Sequence, residues 1–330
     1  MPDRAGADRQ RPILGIDIGG TKTVVVLGRS TGELLAEPVR VEHWARGNWR
    51  ADVEQLLRQA RRLLDSAGIE ASQLHAIGLS CPGPIDPVRG VVLEAPNLPG
   101  WIDVPLANLM HEALGAPVRI ENDANAAALA EWQHGAGRGT RNMVYVTMST
   151  GIGAGLILDG KLYRGAHFQA GEVGHVPIRP EGRTTPAGLP GVLEAYIGGA
   201  ALAERIREDI EAGRQTRIVA LAGGEPDAID ARCWVEAIRA GDAYACELQQ
   251  GYVQDTAQGL AGIIMLLDPD LIVLGTIVQQ NPDLFLEAIR VQTRARLWES
   301  LHGVRIEFGA LGAEMPRYAA LSVGALEPLA

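Results

Sequence analysis

Two glycine-rich turns in this sequence contain the residue types that bind phosphate groups. The first follows an apolar run and consists of Asp17-Ile18-Gly19-Gly20-Thr21-Lys22. Glycines leave backbone N–H groups uncovered, and Thr21 and Lys22 add side-chain donors, so the turn can hold a phosphate. Asp17 stands two residues before the first glycine, where its carboxylate can hold Mg²⁺ through water.

The second turn is Ser149-Thr150-Gly151-Ile152-Gly153-Ala154-Gly155, and it offers the same kind of anion site without a carboxylate. Neither turn has the spacing of a Walker A motif or of a dinucleotide fingerprint, because no helix follows the glycines. Each turn taken alone is equally compatible with a plain glycine-rich hairpin. Two such turns in one chain, one of them with an acid, favour a clamp for a nucleotide.

Asp123 is the candidate general base. It lies in Glu121-Asn122-Asp123-Ala124-Asn125, where a predicted strand passes into an alanine-rich helix. The N-terminus of a helix stabilises a charged carboxylate, and such a carboxylate can accept the proton of a hydroxyl that attacks a phosphoryl group. The alternative is a plain helix N-cap, because Asp and Asn are favoured there.

Three further polar side chains suit a polyhydroxylated ligand. Glu172 and His175 lie in a glycine-rich segment, and Glu194 follows in Leu193-Glu194-Ala195-Tyr196. Carboxylates and an imidazole can exchange hydrogen bonds with vicinal hydroxyls. A metal site is a competing interpretation, although ligands of these types without a cysteine indicate it only weakly. Glu172 alone is also compatible with an exposed loop position.

Strands and helices alternate along the chain, which indicates an α/β fold. The same order of parts, an apolar strand, a glycine turn and a second strand, occurs at both turns and suggests an internal duplication with two lobes facing each other. Strands are predicted over 13–18, 23–27, 34–41, 76–79, 118–120, 143–148, 156–158, 271–274 and 304–308. Helices are predicted over 52–67, 105–114, 126–134, 193–212, 233–267 in more than one piece, 282–297 and 319–326.

Composition excludes several classes of protein. The 330 residues are 47% hydrophobic, enough for a sizeable core, and the formal net charge of −10 disfavours nucleic acid and anionic membranes as partners. No basic patch and no apolar run long enough to span a bilayer is found in the sequence. Three widely spaced cysteines and a polar N-terminus predict a cytoplasmic protein without a disulfide framework.

Together these segments resemble the ROK family of sugar kinases. The motifs that carry the resemblance are the two glycine turns, Pro82-Gly83-Pro84, Glu121-Asn122-Asp123-Ala124-Asn125, Gly171-Glu172-Val173-Gly174-His175 and Leu193-Glu194-Ala195-Tyr196. They occur in the family's order over nearly the whole chain. The resemblance implies an actin-like ATPase (ribonuclease H-like) fold with ATP and a sugar bound between two lobes. The expected parts are a disordered tail (1–12), a small lobe (13–119 plus 316–330) and a large lobe (120–315).

The resemblance also implies a role for each candidate residue. Asp123 is then the catalytic base, and the groups expected to bind the sugar are Asn97, Asn122, Asp123, Glu172, His175 and Glu194. Those expected to line the ATP site are Asp17, Gly19, Gly20, Thr21, Lys22, Thr150, Gly151, Gly153 and Gly275, with Mg²⁺ bound through water to Asp17. A homodimer is expected on the same ground.

Two departures from the family pattern stand out. Where the family has the cysteines of a zinc loop, this chain has Thr185, Ala187 and Val192, so we expect a metal-free loop stiffened by Pro186 and Pro190. The glycine string that borders the nucleotide is reduced to Gly275-Thr276-Ile277. The added bulk there is expected to affect nucleotide affinity more than chemistry.

The sequence therefore predicts an enzyme that transfers the γ-phosphoryl group of ATP to the 6-hydroxyl of a hexose, as a glucokinase does. An N-acetylhexosamine, allose or fructose kinase fits the same residues. A sugar-binding sensor without turnover is a further alternative, motivated by the altered 275–277 loop. A sugar-responsive repressor is disfavoured, because such proteins carry an N-terminal winged helix-turn-helix and only about a dozen residues precede the first strand here.

Overall fold

The structure is a computed structural model that describes residues 11–20, 22–42, 47–95, 97–185 and 188–329. The predicted phosphate ligand Thr21 and the loop residues Pro186 and Ala187 lie outside the described residues, as does most of the predicted 1–12 tail. Within the described ranges, no helix combines the length and the apolar character needed to cross a bilayer.

The first half of the chain forms a five-stranded sheet in the order β3-β2-β1-β4-β8. Its strands are β1 (Ile13–Ile18), β2 (Lys22–Gly28), β3 (Val39–Glu42), β4 (Ala76–Cys81) and β8 (Val118–Asn122). β1 pairs antiparallel with β2 and parallel with β4, which places Ser80 beside Asp17. A small sheet and two helices accompany it: β5 (Ile85–Asp86), β6 (Val91–Glu94), β7 (Ile102–Val104), α1 (Trp49–Ala67) and α2 (Leu106–Leu114).

A second five-stranded sheet has the order β11-β10-β9-β12-β13. Its strands are β9 (Met143–Met148), β10 (Ile152–Leu158), β11 (Lys161–Tyr163), β12 (Leu271–Leu274) and β13 (Arg305–Phe308). In both sheets the first strand in sequence forms an antiparallel hairpin with the second and pairs in parallel with the fourth. This identical topology confirms the duplication predicted from the sequence.

Two helices pack between these sheets. α3 (Asp123–His134) contacts β8 of the first sheet and β9 and β10 of the second, and α11 (Met315–Gly324) packs on α3, β1 and β4. Close approach depends on glycine, since a Cβ at Gly78 would lie 2.2 Å from the Ala320 carbonyl oxygen and one at Gly155 would lie 2.5 Å from the Ala128 Cβ. α3 begins at Asp123, so the packing of this helix fixes the candidate base.

The remaining helices lie around the second sheet. They are α4 (Glu194–Ile197), α5 (Gly199–Glu211), α6 (Ile218–Leu221), α7 (Ala231–Arg239), α8 (Ala243–Leu267), α9 (Thr276–Gln280) and α10 (Pro282–Arg294). Trp234, Tyr252 and Phe285 form the centre of their core, with ring centroids 5.2 to 5.5 Å apart. Burial of these large rings holds α7, α8 and α10 together.

Several element boundaries differ from the prediction. The predicted strand 34–41 is reduced to Val39–Glu42, because Pro38 lacks the N–H that a strand residue donates. The predicted helix 193–212 is divided at Gly198, whose neighbour Gly199 donates its N–H to the Ser149 carbonyl. The second glycine turn is shorter than predicted, because β10 already begins at Ile152.

Candidate active site

Asp123 stands at the junction of β8 and α3. The N-cap of α3 is Asn122, whose Oδ1 accepts a hydrogen bond from the Ala124 N–H at 2.9 Å. The Asp123 Oδ1 accepts from the same N–H at 2.8 Å. The N-cap position therefore belongs to Asn122, and Asp123 is the first residue of the helix, where the helix dipole favours its ionised form.

Four acidic side chains form a series in which neighbours interact electrostatically, in the order Asp17, Asp123, Glu172 and Glu194. Burial raises the pKa of Asp123 to about 6, and the charge of Glu172 adds to the increase while the Ala124 N–H opposes it. Burial likewise raises the pKa of Asp17 to about 6, with Asp123 adding to the increase and Ser80 and Lys22 opposing it. The Asp123 side chain is nevertheless open to solvent.

The first glycine turn approaches this group from the end of β1. The Gly19 N–H donates to the Lys22 carbonyl at 3.1 Å, which closes the turn. A Cβ at Gly20 would lie 2.8 Å from the Asn97 carbonyl oxygen, so the turn packs directly on the segment that carries Asn97. The predicted phosphate ligands Gly19, Gly20 and Lys22 and the predicted sugar ligand Asn97 are thus neighbours.

A buried tryptophan anchors the segment of Asn97. The Trp101 Nε1 donates to the Asp52 Oδ2 at 3.0 Å, and both residues are buried. Asn97 itself is exposed. Sequence analysis missed this contact between α1 and the Asn97 segment, because no local pattern connects Trp101 with Asp52.

The second glycine turn is tied to Glu194. The Ile152 N–H donates to the Glu194 Oε2 at 2.8 Å, and a Cβ at Gly151 would lie 2.6 Å from the same oxygen. The Ala200 N–H also donates to the Thr150 carbonyl at 3.0 Å. Glu194, predicted only as a sugar ligand, therefore also fixes the turn that contains Thr150 and Gly151.

Gly153, which is predicted to line the phosphates, stands close to the start of α3. It lies within β10, paired with Thr147, and a Cβ there would lie 3.6 Å from the Ala124 Cβ. Gly155 is likewise inside the strand. Gly155 lets α3 approach β10, because a Cβ there would lie 2.5 Å from the Ala124 carbonyl oxygen, whereas a Cβ at Gly153 would make an ordinary contact.

Glu172 and His175 lie on a 3₁₀ turn that rests on β10. Their side chains are 48% and 44% exposed, and 3.7 Å separates the His175 Nδ1 from the Glu172 Oε2. Burial raises the pKa of Glu172, Glu194 adds to the increase and His175 opposes it. A Cβ at Gly174 would lie 2.3 Å from the Ile152 carbonyl oxygen, so only glycine lets this turn approach the strand.

Glu121 is a buried acid that sequence analysis did not assign. Its Oε2 accepts from the Arg164 Nε at 2.6 Å and its Oε1 from the Asn125 Nδ2 at 2.9 Å. Arg164 directly follows β11, on the way to the turn that carries Glu172. The pair therefore links the two polar segments of the site.

Gly275 lies at the carboxyl end of β12. Its N–H donates to the Val146 carbonyl at 2.9 Å, and a Cβ there would lie 2.3 Å from the Tyr145 hydroxyl oxygen. The next residue, Thr276, has a φ of +41°, a conformation that favours glycine. The reduced glycine string thus leaves a strained threonine beside the predicted nucleotide site.

The loop that replaces the family's zinc loop is held by other contacts. The Arg179 guanidinium donates to the Asp255 Oδ1 and lies 4.0 Å from the centroid of the Tyr196 ring. Thr185 and Val192 are buried and offer no thiolate. In the part of the chain that the structure describes, His, Cys, Asp and Glu side chains form no group of three suited to a metal. The residues of this loop do not fit a zinc ion.

Two cavities lie away from the acidic cluster. One of about 790 Å³ is lined by residues of the β2–β3 turn and by Trp132, His134 and Arg138 near the carboxyl end of α3. The other, of about 460 Å³, lies beside Arg183 and Glu208. No predicted site residue lines either cavity, so the assignment of the site rests on the cluster around Asp123.

The comparisons with known proteins agree with this geometry. The ROK family model matches residues 13–314. A glucokinase from Thermotoga maritima is 33% identical over 282 residues, 84% of this chain and 86% of the relative. A xylose repressor from Caldicellulosiruptor bescii is 30% identical over 304 residues, 91% of this chain and 74% of the relative.

A solved structure extends the likeness to the fold. The ROK family glucokinase from Streptomyces griseus, in complex with glucose and AMPPNP, has a TM-score of 0.79 and 29% identity and covers 94% of this chain and 98% of its own. The predicted actin-like ATPase fold is confirmed by this similarity and by the duplicated sheets. The match over most of the chain, together with the motifs around Asp123, shows that this protein belongs to the ROK family.

Proposed function

We propose that this protein transfers the γ-phosphoryl group of ATP to the 6-hydroxyl of a hexose, with glucose as the first acceptor to test. The observation that supports this most is the position of Asp123, an exposed residue at the start of α3 whose pKa is raised to about 6 and which lies near Asp17 and Glu172. The named relatives, a glucokinase and a glucokinase bound to glucose and AMPPNP, support the same activity.

In this mechanism Asp123 accepts the proton of the sugar hydroxyl as the hydroxyl oxygen attacks the γ-phosphorus. A pKa of about 6 leaves the carboxylate about nine-tenths ionised at pH 7 while keeping it a better base than an ordinary aspartate. The side chains proposed to bind the other hydroxyls are Asn97, Asn122, Glu172, His175 and Glu194. Holding the acceptor in line with the phosphoryl group supplies much of the rate acceleration in this class of reaction.

The two glycine turns are proposed to hold the triphosphate. Gly19, Gly20 and Lys22 act from the end of β1, and Thr150 and Gly151 act from the end of β9. Gly275 is proposed to lie beside the adenosine. Glu194 accepts a hydrogen bond from the Ile152 N–H beside the second glycine turn. A sugar that contacts the Glu194 carboxylate is therefore linked to the turn proposed to bind phosphate.

Asp17 fits a magnesium ion in its donor chemistry. It is a half-buried carboxylate whose pKa is raised by burial and, to a smaller extent, by the nearby Asp123. Mg²⁺ bound to a nucleotide commonly uses one or two carboxylates together with phosphate oxygens. A bound Mg²⁺ would neutralise charge on the phosphoryl oxygens. Asp17 would hold that ion through water, and Lys22 would add positive charge at the same turn.

An assay of ADP release identifies the preferred acceptor sugar. It compares glucose, mannose, fructose, allose and the N-acetylhexosamines. We expect glucose to give the highest kcat/KM, and a different preferred sugar would replace glucose while leaving the sugar kinase assignment intact. Asp123→Asn is the matched variant. It is expected to lower kcat by about 10²- to 10⁴-fold while hexose binding, measured by calorimetry, is retained. Wild-type turnover in this variant would show that Asp123 is not the base.

A sugar-binding protein without turnover is the second candidate. The strained Thr276 beside the proposed adenosine position supports weak nucleotide binding, and the likeness to a xylose repressor shows that relatives differ in role. Calorimetry that finds hexose binding but no binding of ATP or AMPPNP would favour this candidate. The homodimer and the cytoplasmic location expected from the sequence stay predictions.

A further inference from the structure

We propose that Glu121 and Arg164 are a positioning pair that sets the distance between Asp123 and the turn carrying Glu172 and His175. The inference rests on the proposed function, since it concerns how the acceptor is held. Neither residue is proposed to contact the substrate. The pair acts through the two segments that it joins.

Both oxygens of the Glu121 carboxylate are engaged. Oε2 accepts from the Arg164 Nε at 2.6 Å, while Oε1 accepts from the Asn125 Nδ2 at 2.9 Å and from the Asn122 N–H at 3.2 Å. The Glu121 side chain is 2% exposed. The carboxylate therefore holds the end of β8 and the first turn of α3 in one arrangement, and Asp123 lies between these points.

Arg164 begins the segment that leads to the sugar turn. Its carbonyl accepts from the Ala170 N–H at 3.1 Å, which closes the intervening loop, and the Gly171 carbonyl then accepts from the Ala154 N–H at 2.8 Å. Glu172 follows directly. The side chain of Arg164 is 15% exposed, so its position is fixed by the ion pair and by the surrounding protein.

The energetics of such a pair favour a geometric role. Desolvation of two buried charges offsets most of their attraction, so a buried ion pair adds little net stability compared with apolar residues of the same volume. Removal of one partner is nevertheless costly, because the other charge is left buried and unpaired. The pair instead fixes the separation between two segments from different sheets. One is the junction of β8 with α3, and the other is the loop that follows β11.

The separation matters for the reaction because Asp123 and Glu172 are proposed to contact the same sugar. A misplacement of about 1 Å between an acceptor and its catalytic group can cost about 10²-fold in rate. We therefore expect Arg164→Gln to lower kcat/KM for the hexose by about 10- to 100-fold, with the KM for ATP changed by less than about twofold.

The test compares three variants by steady-state kinetics and thermal unfolding. Arg164→Gln is expected to lower both Tm and hexose kcat/KM. The double variant Glu121→Gln with Arg164→Gln removes both charges, so its Tm is expected to recover while its hexose kcat/KM stays low. The control is Arg119→Gln on the same strand, whose Nη1 donates to the Gly324 carbonyl at 2.6 Å. It is expected to lower Tm without changing the hexose KM.

The proposal is overturned if hexose kcat/KM recovers together with Tm in the double variant, since the pair would then be structural only. It is also overturned if Arg119→Gln and Arg164→Gln have equal effects on hexose kcat/KM. Should the wild-type chain release no ADP with any sugar, the proposed function fails, and calorimetry with glucose then tests the pair alone. In that case Arg164→Gln must weaken glucose binding, and a wild-type chain without glucose affinity would overturn both proposals.

Discussion

The acid limb of the pH profile tests the proposed base most directly. Burial and Glu172 raise the pKa of Asp123 to about 6, whereas an unperturbed aspartate has a pKa of about 3.9. Only the ionised carboxylate accepts a proton, so kcat/KM should fall as the pH drops through 6. At pH 5 we expect about one tenth of the plateau value, where an ordinary aspartate would still allow more than about nine tenths.

Asp17 makes the limb steeper if its ionised form is also required. Its pKa is likewise raised to about 6, and the two carboxylates influence each other, so they titrate as a coupled pair. With both ionised forms required, the value at pH 5 falls toward about one hundredth of the plateau. The slope of the limb therefore distinguishes one essential carboxylate from two.

The assay is direct quantification of ADP by chromatography between pH 5 and 8, with MgATP saturating and the hexose varied. The matched control is Asp123→Asn. Its residual activity should no longer show the decrease near pH 6 that the titration of Asp123 causes in the wild type. The same variant should also change the pH dependence of the melting temperature Tm. A carboxyl group with a raised pKa in the folded state destabilises that state once ionised, so Asp123→Asn should raise Tm at pH 7 and lose this advantage near pH 4. A wild-type profile that is flat from pH 7 to pH 5 would refute the assignment.

Three further substitutions test how the site is supported. Gly155→Ala places a Cβ 2.5 Å from the Ala128 Cβ, so it should displace the helix that carries Asp123. We expect a loss of about 1–3 kcal/mol in the free energy of unfolding, measured by chemical denaturation, and a lower kcat, measured by steady-state kinetics. Thr276→Gly relieves backbone strain at a residue with φ +41°, so the free energy of unfolding should rise by roughly 1 kcal/mol and the KM for ATP should fall. An unchanged KM for ATP would show that this strain does not affect nucleotide binding. Trp101→Phe removes one hydrogen bond from the buried Asp52 carboxylate. We expect a loss of about 1–3 kcal/mol in the free energy of unfolding and a higher KM for the hexose but not for ATP.

Much of the fold follows from local patterns in the sequence. The runs Ile13–Ile18, Met143–Met148 and Leu271–Leu274 are strands with the predicted bounds, because short apolar segments between turn residues have few other stable arrangements. The duplication was also visible, since both halves repeat the same order of parts. Boundaries were least predictable at Pro38 and Gly198, where one residue type ends or divides an element that the apolar pattern would continue.

The supporting contacts of the site could not be predicted in the same way. Trp101 bonds to a residue 49 positions away, Arg164 to one 43 positions away and Ile152 to one 42 positions away. The partners are Asp52, Glu121 and Glu194. The last two lie in motifs that the sequence shows, but no pattern identifies what they bond to, and only the folded chain brings each pair together. The role predicted for Gly153 stays a prediction for a related reason, since a glycine that uncovers a backbone for phosphate and one that admits a helix look the same in sequence.

The duplicated fold places an acid in one copy and a hydroxyl in the other at the same position before the glycine turn. β1 and β9 have the same burial pattern, and each leaves its fifth residue, Asp17 or Thr147, as the only position of the strand that is not buried. Both positions precede a glycine turn, so under the proposed function each lies near the triphosphate. A carboxylate at both would place two negative charges against a triphosphate, whereas one carboxylate can hold a cation and one hydroxyl can donate a hydrogen bond. Under the proposed function, the two copies supply matching turns for the triphosphate, and the acid of only one copy holds the cation.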